Sequence, residues 1–349
     1  MSVKTLVSVL IMSLILSLNI SCNEEKRAIA LNNQGLDLAR EGKYGEAIKC
    51  YDEALKLNQK LETAWYNKGK ALYSKNNYDE AIKCFDKSLS LEPNQPATWN
   101  EKGLVLSSKG NHDDAIKCFD KSLEYDTLNA ITWYNKGFSL SSQKRYDYAL
   151  MCYNKSLELQ ANNGFVLSAK GYALSKLDKY NEAVTAYDEA LKIDGNNAIT
   201  WRYKGYALSQ MGKYDEAIKC FDRSLELSPS DALTWNDKGL ALDSQKKYDE
   251  ALKCYSRSLE IDPSKGIIWD NKGYILLTQK KYNEAIQCFD RAIQLDPAYG
   301  VAWSDKGTAL YYQKKYKDAV TSFNKALAIN PEDKVAKDGL EKALNATGQ

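Results

Sequence analysis

The stretch ETAWYNKGKALYSKNNYDEAIKCFDKSLSLEPNQ, residues 62–95, decides how the chain is read, because its pattern returns every 34 residues. Nine copies fit without insertion or deletion, at 28–61, 62–95, 96–129, 130–163, 164–197, 198–231, 232–265, 266–299 and 300–333. With positions numbered 1 to 34 within each copy, position 8 is always Gly, from Gly35 and Gly69 to Gly307, and position 20 is always Ala, from Ala47 to Ala319. All seven Trp stand at position 4 (Trp65, Trp99, Trp133, Trp201, Trp235, Trp269 and Trp303), with Leu31 and Leu167 in the other two copies. Position 24 is aromatic throughout, from Tyr51 and Phe85 to Phe323. A fixed period of a few tens of residues means an array of identical supersecondary units, and it decides the architecture before any local propensity matters.

Positions 4, 8 and 11 recur at helical spacing, as do 20, 24 and 27, so each copy offers two amphipathic helices whose apolar faces can meet. Gly at 8 and Ala at 20 remove bulk where the two backbones approach, and Trp and Phe or Tyr fill the space beside them. The turn between the helices is polar, as in Lys75-Asn76-Asn77 before Tyr78. A second turn is marked at position 32 by Pro93, Pro229, Pro263, Pro297 and Pro331, where proline ends one helix and precedes the next. One such pair cannot bury both its faces, so successive pairs must stack.

The order Trp, Gly, Leu, Ala, Phe/Tyr, Ala/Ser, Pro at positions 4, 8, 11, 20, 24, 27 and 32 resembles the tetratricopeptide repeat family, in register from Ala28 to Asp333. The resemblance implies an all-α fold, an α-solenoid wound as a right-handed superhelix, with ligands taken on its concave wall. Position 7, usually Leu in that family, is Lys in copies two to nine, from Lys68 to Lys306. A basic ladder for ligands is one reading; the other is an aliphatic stem covering apolar surface while its ammonium reaches water.

Residues 1–21 carry Lys4, then an apolar run from Leu6 to Ile20 broken only by Ser and Asn, then Ser21, which describes a signal peptide. The run is short for a membrane span. Cys22 resembles the acylated cysteine of bacterial lipoproteins, although Asn19 stands where their signal prefers Leu and Leu18 comes one residue early. Residues 22–27 are then a lipidated Cys and a short polar tether, and the protein is exported and membrane-anchored, facing the periplasm or cell exterior. At the other end, 334–349 reads as a capping helix and tail. Val335, Ala336, Leu340, Ala343 and Leu344 lie on one side and Lys337, Asp338, Glu341 and Lys342 on the other, as a solenoid's last open core requires, with Thr347 to Gln349 frayed.

Composition excludes several classes of function. Lys+Arg number 48 and Asp+Glu 46, so no electrostatic footprint for nucleic acid or anionic lipid is present. Asp79 with Lys83, Asp215 with Lys219 and Asp249 with Lys253 are spaced i, i+4 for pairing on the second helices. Apart from Cys22, all seven Cys occupy position 23 (Cys50, Cys84, Cys118, Cys152, Cys220, Cys254 and Cys288). Stacked helices lie about 8–10 Å apart, beyond the roughly 7 Å Cα separation that a disulfide tolerates. The cysteines therefore read as small buried hydrophobes. They never form a C-x-x-C pair, so no metal and no other cofactor is expected. The one histidine, His112, replaces the Tyr that the other copies carry at position 17 and lacks partners for base catalysis. No phosphate loop or nucleophile elbow occurs. The chain reads as a non-enzyme.

Function then rests on a surface. At ~100° per residue, positions 2, 5, 9 and 12 of the first helix lie opposite the core positions 4, 8 and 11. In copies four to eight, positions 2 and 9 carry Ile131, Phe138, Phe165, Tyr172, Ile199, Tyr206, Leu233, Leu240, Ile267 and Tyr274. Polar groups at positions 5 and 6 (Tyr134, Asn135, Arg202, Tyr203, Asn236, Asp237, Asp270, Asn271) are spaced to hydrogen-bond a peptide backbone. The Lys and Asn pattern by which some family members clamp a C-terminal carboxylate is not assembled. The stripe is either a groove for a peptide or partner protein with apolar anchors, or packing between neighbouring first helices. The expected function is a membrane-tethered interaction scaffold. The alternative is a structural subunit of a self-associating or envelope-assembly complex.

Overall fold

The computed structural model describes residues 23–348, so the signal segment, Cys22 and Gln349 lie outside the described residues. Within them the chain is all-α: nineteen helices in consecutive helix-turn-helix pairs, with no strand among the described residues. The helices are α1 (23–40), α2 (Tyr44–Leu57), α3 (Glu62–Ser74), α4 (Tyr78–Leu91), α5 (Pro96–Ser108), α6 (His112–Tyr125), α7 (Ala130–Ser142), α8 (Tyr146–Leu159) and α9 (Gly164–Lys176) in a first compact block, to Leu177. A second block, from Asp178, holds α10 (Tyr180–Ile193), α11 (Ala198–Gln210), α12 (Tyr214–Leu227), α13 (Ala232–Ser244), α14 (Tyr248–Ile261), α15 (Gly266–Thr278), α16 (Tyr282–Leu295), α17 (Gly300–Tyr312), α18 (Tyr316–Ile329) and α19 (Lys334–Thr347). Residues 23–27, expected as a tether, are instead exposed turns of α1.

The repeat constants have direct packing causes. A Cβ on the position-8 glycine would meet the position-24 ring, at 2.7 Å for Gly69 against Phe85 and 2.7 Å for Gly205 against Phe221. The ring therefore lies flat on the first helix's backbone and is fully buried. The position-4 indole is only half-buried, because it sits at the edge of the core rather than in it. Its N–H donates to the carbonyl of position 32 in the preceding repeat, as Trp99 does to Pro93 at 2.9 Å and Trp235 to Pro229 at 3.0 Å. Trp and the inter-repeat turn are thus one device. Positions 3 and 10 form the tighter seam, with Thr132, Val166, Ile268, Val105 and Ile275 buried.

In eight of the nine repeats the first helix ends in a Schellman motif: the N–H of position 16 bonds to the carbonyl of position 11, as Asn77 to Leu72 at 2.9 Å and Lys247 to Leu242 at 2.9 Å. Position 15 is left-handed, with φ +61° at Asn76 and +78° at Gly42. The next residue but one starts the second helix, so the hairpin is tight.

Lys at position 7 has a structural role that reading a single repeat misses. Its ammonium lies 2.6 Å from the position-25 carboxylate of the preceding repeat in Lys68–Asp52, Lys102–Asp86, Lys136–Asp120, Lys204–Asp188, Lys238–Asp222 and Lys306–Asp290. It also stands over the indole three residues earlier, 5.4 Å from the Trp133 centroid for Lys136. Where position 25 is Asn154 or Ser256, Lys170 and Lys272 make no such pair. The expected i, i+4 pairs do not form. Asp79 pairs with Lys109, and Asp215 and Asp249 accept from Gln245 and Gln279 at 2.9 Å, each 30 residues on. The position-18 side chains reach across to position 14 of the next repeat.

The seven position-23 thiols are free, and all but the half-buried Cys50 are buried. Burial pushes Cys84, Cys118, Cys152, Cys220 and Cys288 up to about 11. α19 caps the last core through Ala336, Ala343 and Leu340 against Phe323. Val335, expected on that side, points to solvent, and residue 347 is not frayed, because Gly348 closes the helix in a left-handed conformation.

Candidate protein-interaction surface

The first helix turns positions 3 and 10 into the core, so positions 2 and 9, about 100° behind them, project outward. In the first block Ile131 and Phe138 of α7 and Phe165 of α9 are exposed, Phe165 to 69 %. Tyr172 is half-buried, edge-on to Tyr146 with centroids 6.4 Å apart. In the second block Ile199, Tyr206, Leu233, Leu240, Ile267 and Tyr274 are all exposed. Nine of the ten apolar side chains are therefore exposed rather than buried between neighbouring first helices.

The polar residues expected beside them are placed differently. Position 5 of one first helix accepts from position 6 of the next: Asn67 Nδ2 to Asn32 Oδ1 at 3.0 Å, Asn135 to Asn100 at 3.0 Å, Asn271 to Asn236 at 3.2 Å. Asn135 is buried by this rung, and Thr132 adds a donor to Asn100 at 3.3 Å. Tyr134 packs on Tyr153 at 6.0 Å and Tyr203 on Tyr187 at 6.2 Å, while the Arg202 guanidinium lies 5.2 Å from the Tyr203 ring and 3.7 Å from Asp231. These groups brace adjacent helices rather than waiting for a ligand's backbone. The pairing joins residues 35 apart, a relation visible only once the repeats are stacked.

The second block adds carboxyls to the same positions. Burial pushes Asp237 up to about 6, opposed by the Arg202 charge and an Asn236 hydrogen bond. Asp270, 5 % exposed, is also pushed to about 6 by burial, although the Tyr299 hydroxyl donates to its Oδ2 at 3.1 Å; its Oδ1 has no partner. Asp305, which sequence reasoning did not single out, rises to about 7 through burial and the neighbouring Asp270 and Asp333. Tyr206 and Leu240 form the mouth of a groove of about 330 Å³ with Asp237, Ser209 and Ser244 around it and Phe221 beneath. It can take an apolar side chain, with the Asp237 carboxyl left at its wall for a polar group beside that anchor.

His112 is half-buried at the start of α6, with Ser107 Oγ 3.4 Å from its Nδ1. Among the described residues no group of three or more His, Cys, Asp or Glu is placed to hold a metal, and no helix is long and apolar enough to cross a membrane.

Family models of the tetratricopeptide repeat match residues 63–95, 130–163, 268–299 and 300–333, with further ones over 196–264 and 84–117, and a TPR repeat model matches 35–75 and 171–212. No curated protein matches the chain. Among solved structures it is similar to a chain of the APC/C hetero-tetramer Cut9-Hcn1, at 15 % identity and a TM-score of 0.59 over 91 % of this chain and 76 % of that one. A tetratricopeptide repeat protein from Parabacteroides merdae gives 18 % and 0.56 over 72 % and 99 % of the two chains. The pilF protein of Pseudomonas aeruginosa gives 19 % and 0.54 over 60 % and 95 %. At such identities the likeness is one of fold.

Proposed function

Because the chain belongs to the tetratricopeptide repeat family, we propose that it is a non-catalytic protein-interaction scaffold that takes a partner segment on the exposed first-helix face. The observation that carries this reading is the exposure of nine large apolar side chains at positions 2 and 9, where a soluble surface would normally be polar. The partner contributes apolar anchors, and the groove beside Tyr206 and Leu240 suits one of them. Specificity then comes from those pockets rather than from the amide rungs, which are already committed. Export and a lipid on Cys22 hold the scaffold at a membrane in this reading; the support is the apolar run from Leu6 to Ile20, followed by Ser21.

Affinity capture with the full chain, compared with a Phe138→Ala/Phe165→Ala variant and a Tyr206→Ala/Leu240→Ala variant, tests the surface. Loss of the captured partner in either, with helical content and melting kept, supports it. Capture unchanged in both moves the interface elsewhere. Mass spectrometry of the mature N-terminus tests the anchor, and an unmodified Cys22 removes it.

A further inference from the structure

The second helices present a solvent-facing surface that repeats across the chain, and it departs from its own pattern once. Position 19 is acidic in eight repeats (Glu46, Glu80, Asp114, Glu182, Glu216, Glu250, Glu284, Asp318) and Tyr148 in the fourth. Position 22 is Lys, Thr or Gln in eight and Met151 in the fourth. Both sit on α8, one turn apart, exposed to 57 % and 68 %. The sibling repeats show that this backbone position folds with charge, so the apolar pair is not required by the core. Beside it runs a groove of about 450 Å³ whose floor is Ile116, Trp133 and Leu140.

The charges around that groove are unequal. Three cations line it, Lys136, Arg145 and Lys155, against one carboxylate, Asp120. Asp120 is held by Lys136 at 2.6 Å, and Lys155 is matched by Glu158 at 2.8 Å. Among the described residues no carboxylate lies within 4 Å of Arg145. Its guanidinium lies 5.0 Å over the Tyr148 ring, and Nη1 donates only to Gln143 Oε1 at 3.4 Å, so most of its donors are unspent. An aromatic face with a stacked, unpaired guanidinium receives an apolar side chain and a carboxylate together.

We propose that this side of α8 is a second docking surface, separate from the first-helix face, for an acidic amphipathic peptide segment that seats an apolar anchor between Tyr148 and Met151 and pairs a carboxylate with Arg145. An anionic membrane is the poorer fit, since lipid surfaces are held by clusters of several unmatched cations, and here Lys136 and Lys155 are already neutralised.

The test uses the full chain and three fluorescein-labelled helical peptides: one combining Leu and Phe anchors with Glu, one with every Glu replaced by Lys, and one with the anchors replaced by Ala. Anisotropy titration is expected to show binding of the first peptide alone. Its affinity falls about tenfold or more in Tyr148→Glu/Met151→Lys, which installs residues the sibling repeats carry, and in Arg145→Glu. Arg145→Lys retains part of it, and Phe138→Ala/Phe165→Ala leaves it unchanged, which separates this surface from the first-helix face. Any of four results overturns the proposal: no binding of the Glu peptide, equal binding to Tyr148→Glu/Met151→Lys with circular dichroism unchanged, capture only by phosphatidylserine vesicles, or self-association in sedimentation that the double variant abolishes.

Discussion

The two blocks use the same two columns of their first helices for opposite chemistry. In the first block positions 5 and 6 are bridged by neutral amides, Asn67 to Asn32 and Asn135 to Asn100. In the second a single amide rung, Asn271 to Asn236, stands among Asp237, Asp270 and Asp305, all pushed upward by burial. Buried amides satisfy one another; buried carboxyls resist ionisation, Asp237 even against the Arg202 charge. The first block has milder versions of this in Glu101, where Lys70 opposes the burial, and in Glu62, which accepts from Ser88. The difference teaches that the interlocking of Gly, aromatic and Ala sets the array, while these two columns vary freely, and the buried carboxyls they carry should make the second block more responsive to pH than the first.

The largest expected effect is a control on that statement. Phe85→Ala and Phe221→Ala remove rings buried against Gly69 and Gly205 in the two blocks. Each should destabilise its own block by about 3–5 kcal/mol, the range for a large aromatic in a close-packed core. Block-resolved hydrogen exchange measures it, since stability in a repeat array is carried by each repeat and its neighbours. Equal losses place the difference between blocks outside the core; a loss confined to one would mean the two cores are not equivalent.

The second effect belongs to the carboxyls. Asp270 has a folded value of about 6 against an ordinary 3.8, so the folded state binds the proton more tightly. Its stabilising contribution is complete below about pH 4 and is lost as pH rises through the folded value, on the order of 3 kcal/mol for a shift of this size. Asp237 and Asp305 add the same sign between about pH 4 and 7. The second block should therefore melt at a lower temperature at pH 8 than at pH 5, and the first should change less. Asp270→Asn keeps an acceptor for Tyr299, so it should raise stability at pH 8 and flatten the slope. A variant less stable than the parent at pH 8 would show that the ionised carboxylate is compensated.

Most of the array was legible in the sequence, because the Gly and aromatic constants act within one repeat: Gly205 and Phe221 are sixteen residues apart and touch. The outward direction of positions 2 and 9 was likewise a matter of helical angle. What was not legible lies between repeats. Asn135 reads as a ligand-facing amide until Asn100, 35 residues earlier, is seen beside it, and Lys136 reads as a snorkelling stem until Asp120 is found 2.6 Å away. Such pairs depend on the offset between stacked units, which a single repeat does not contain. Position 15 carries its own signal within one repeat: Gly42, Gly110 and Gly212 share that column with Asn76, residues suited to a left-handed turn.

That column gives the smallest prediction. The left-handed conformation is imposed by the Schellman closure, and a side chain other than Gly, Asn or Asp pays about 1–2 kcal/mol there. The first block meets the requirement with Gly42, Asn76 and Gly110 and holds one lysine, Lys144, at φ +61°. The second has Asp178 and Gly212 but three lysines, Lys246, Lys280 and Lys314, at φ +61° to +63°. Replacing each lysine by Gly relieves the strain but frees the unfolded chain, which returns roughly 0.5–1 kcal/mol of the gain. The net stabilisation should be about 0.5 kcal/mol per site. Asn76→Gly is the reference and should be nearly neutral, since Asn visits this region readily. The triple variant of the second block should therefore rise in melting temperature by more than Lys144→Gly achieves in the first. If instead Lys246→Gly destabilises, the lysine stem holds a packing contact that outweighs its backbone strain, and the asymmetry between the blocks is one of side chains alone.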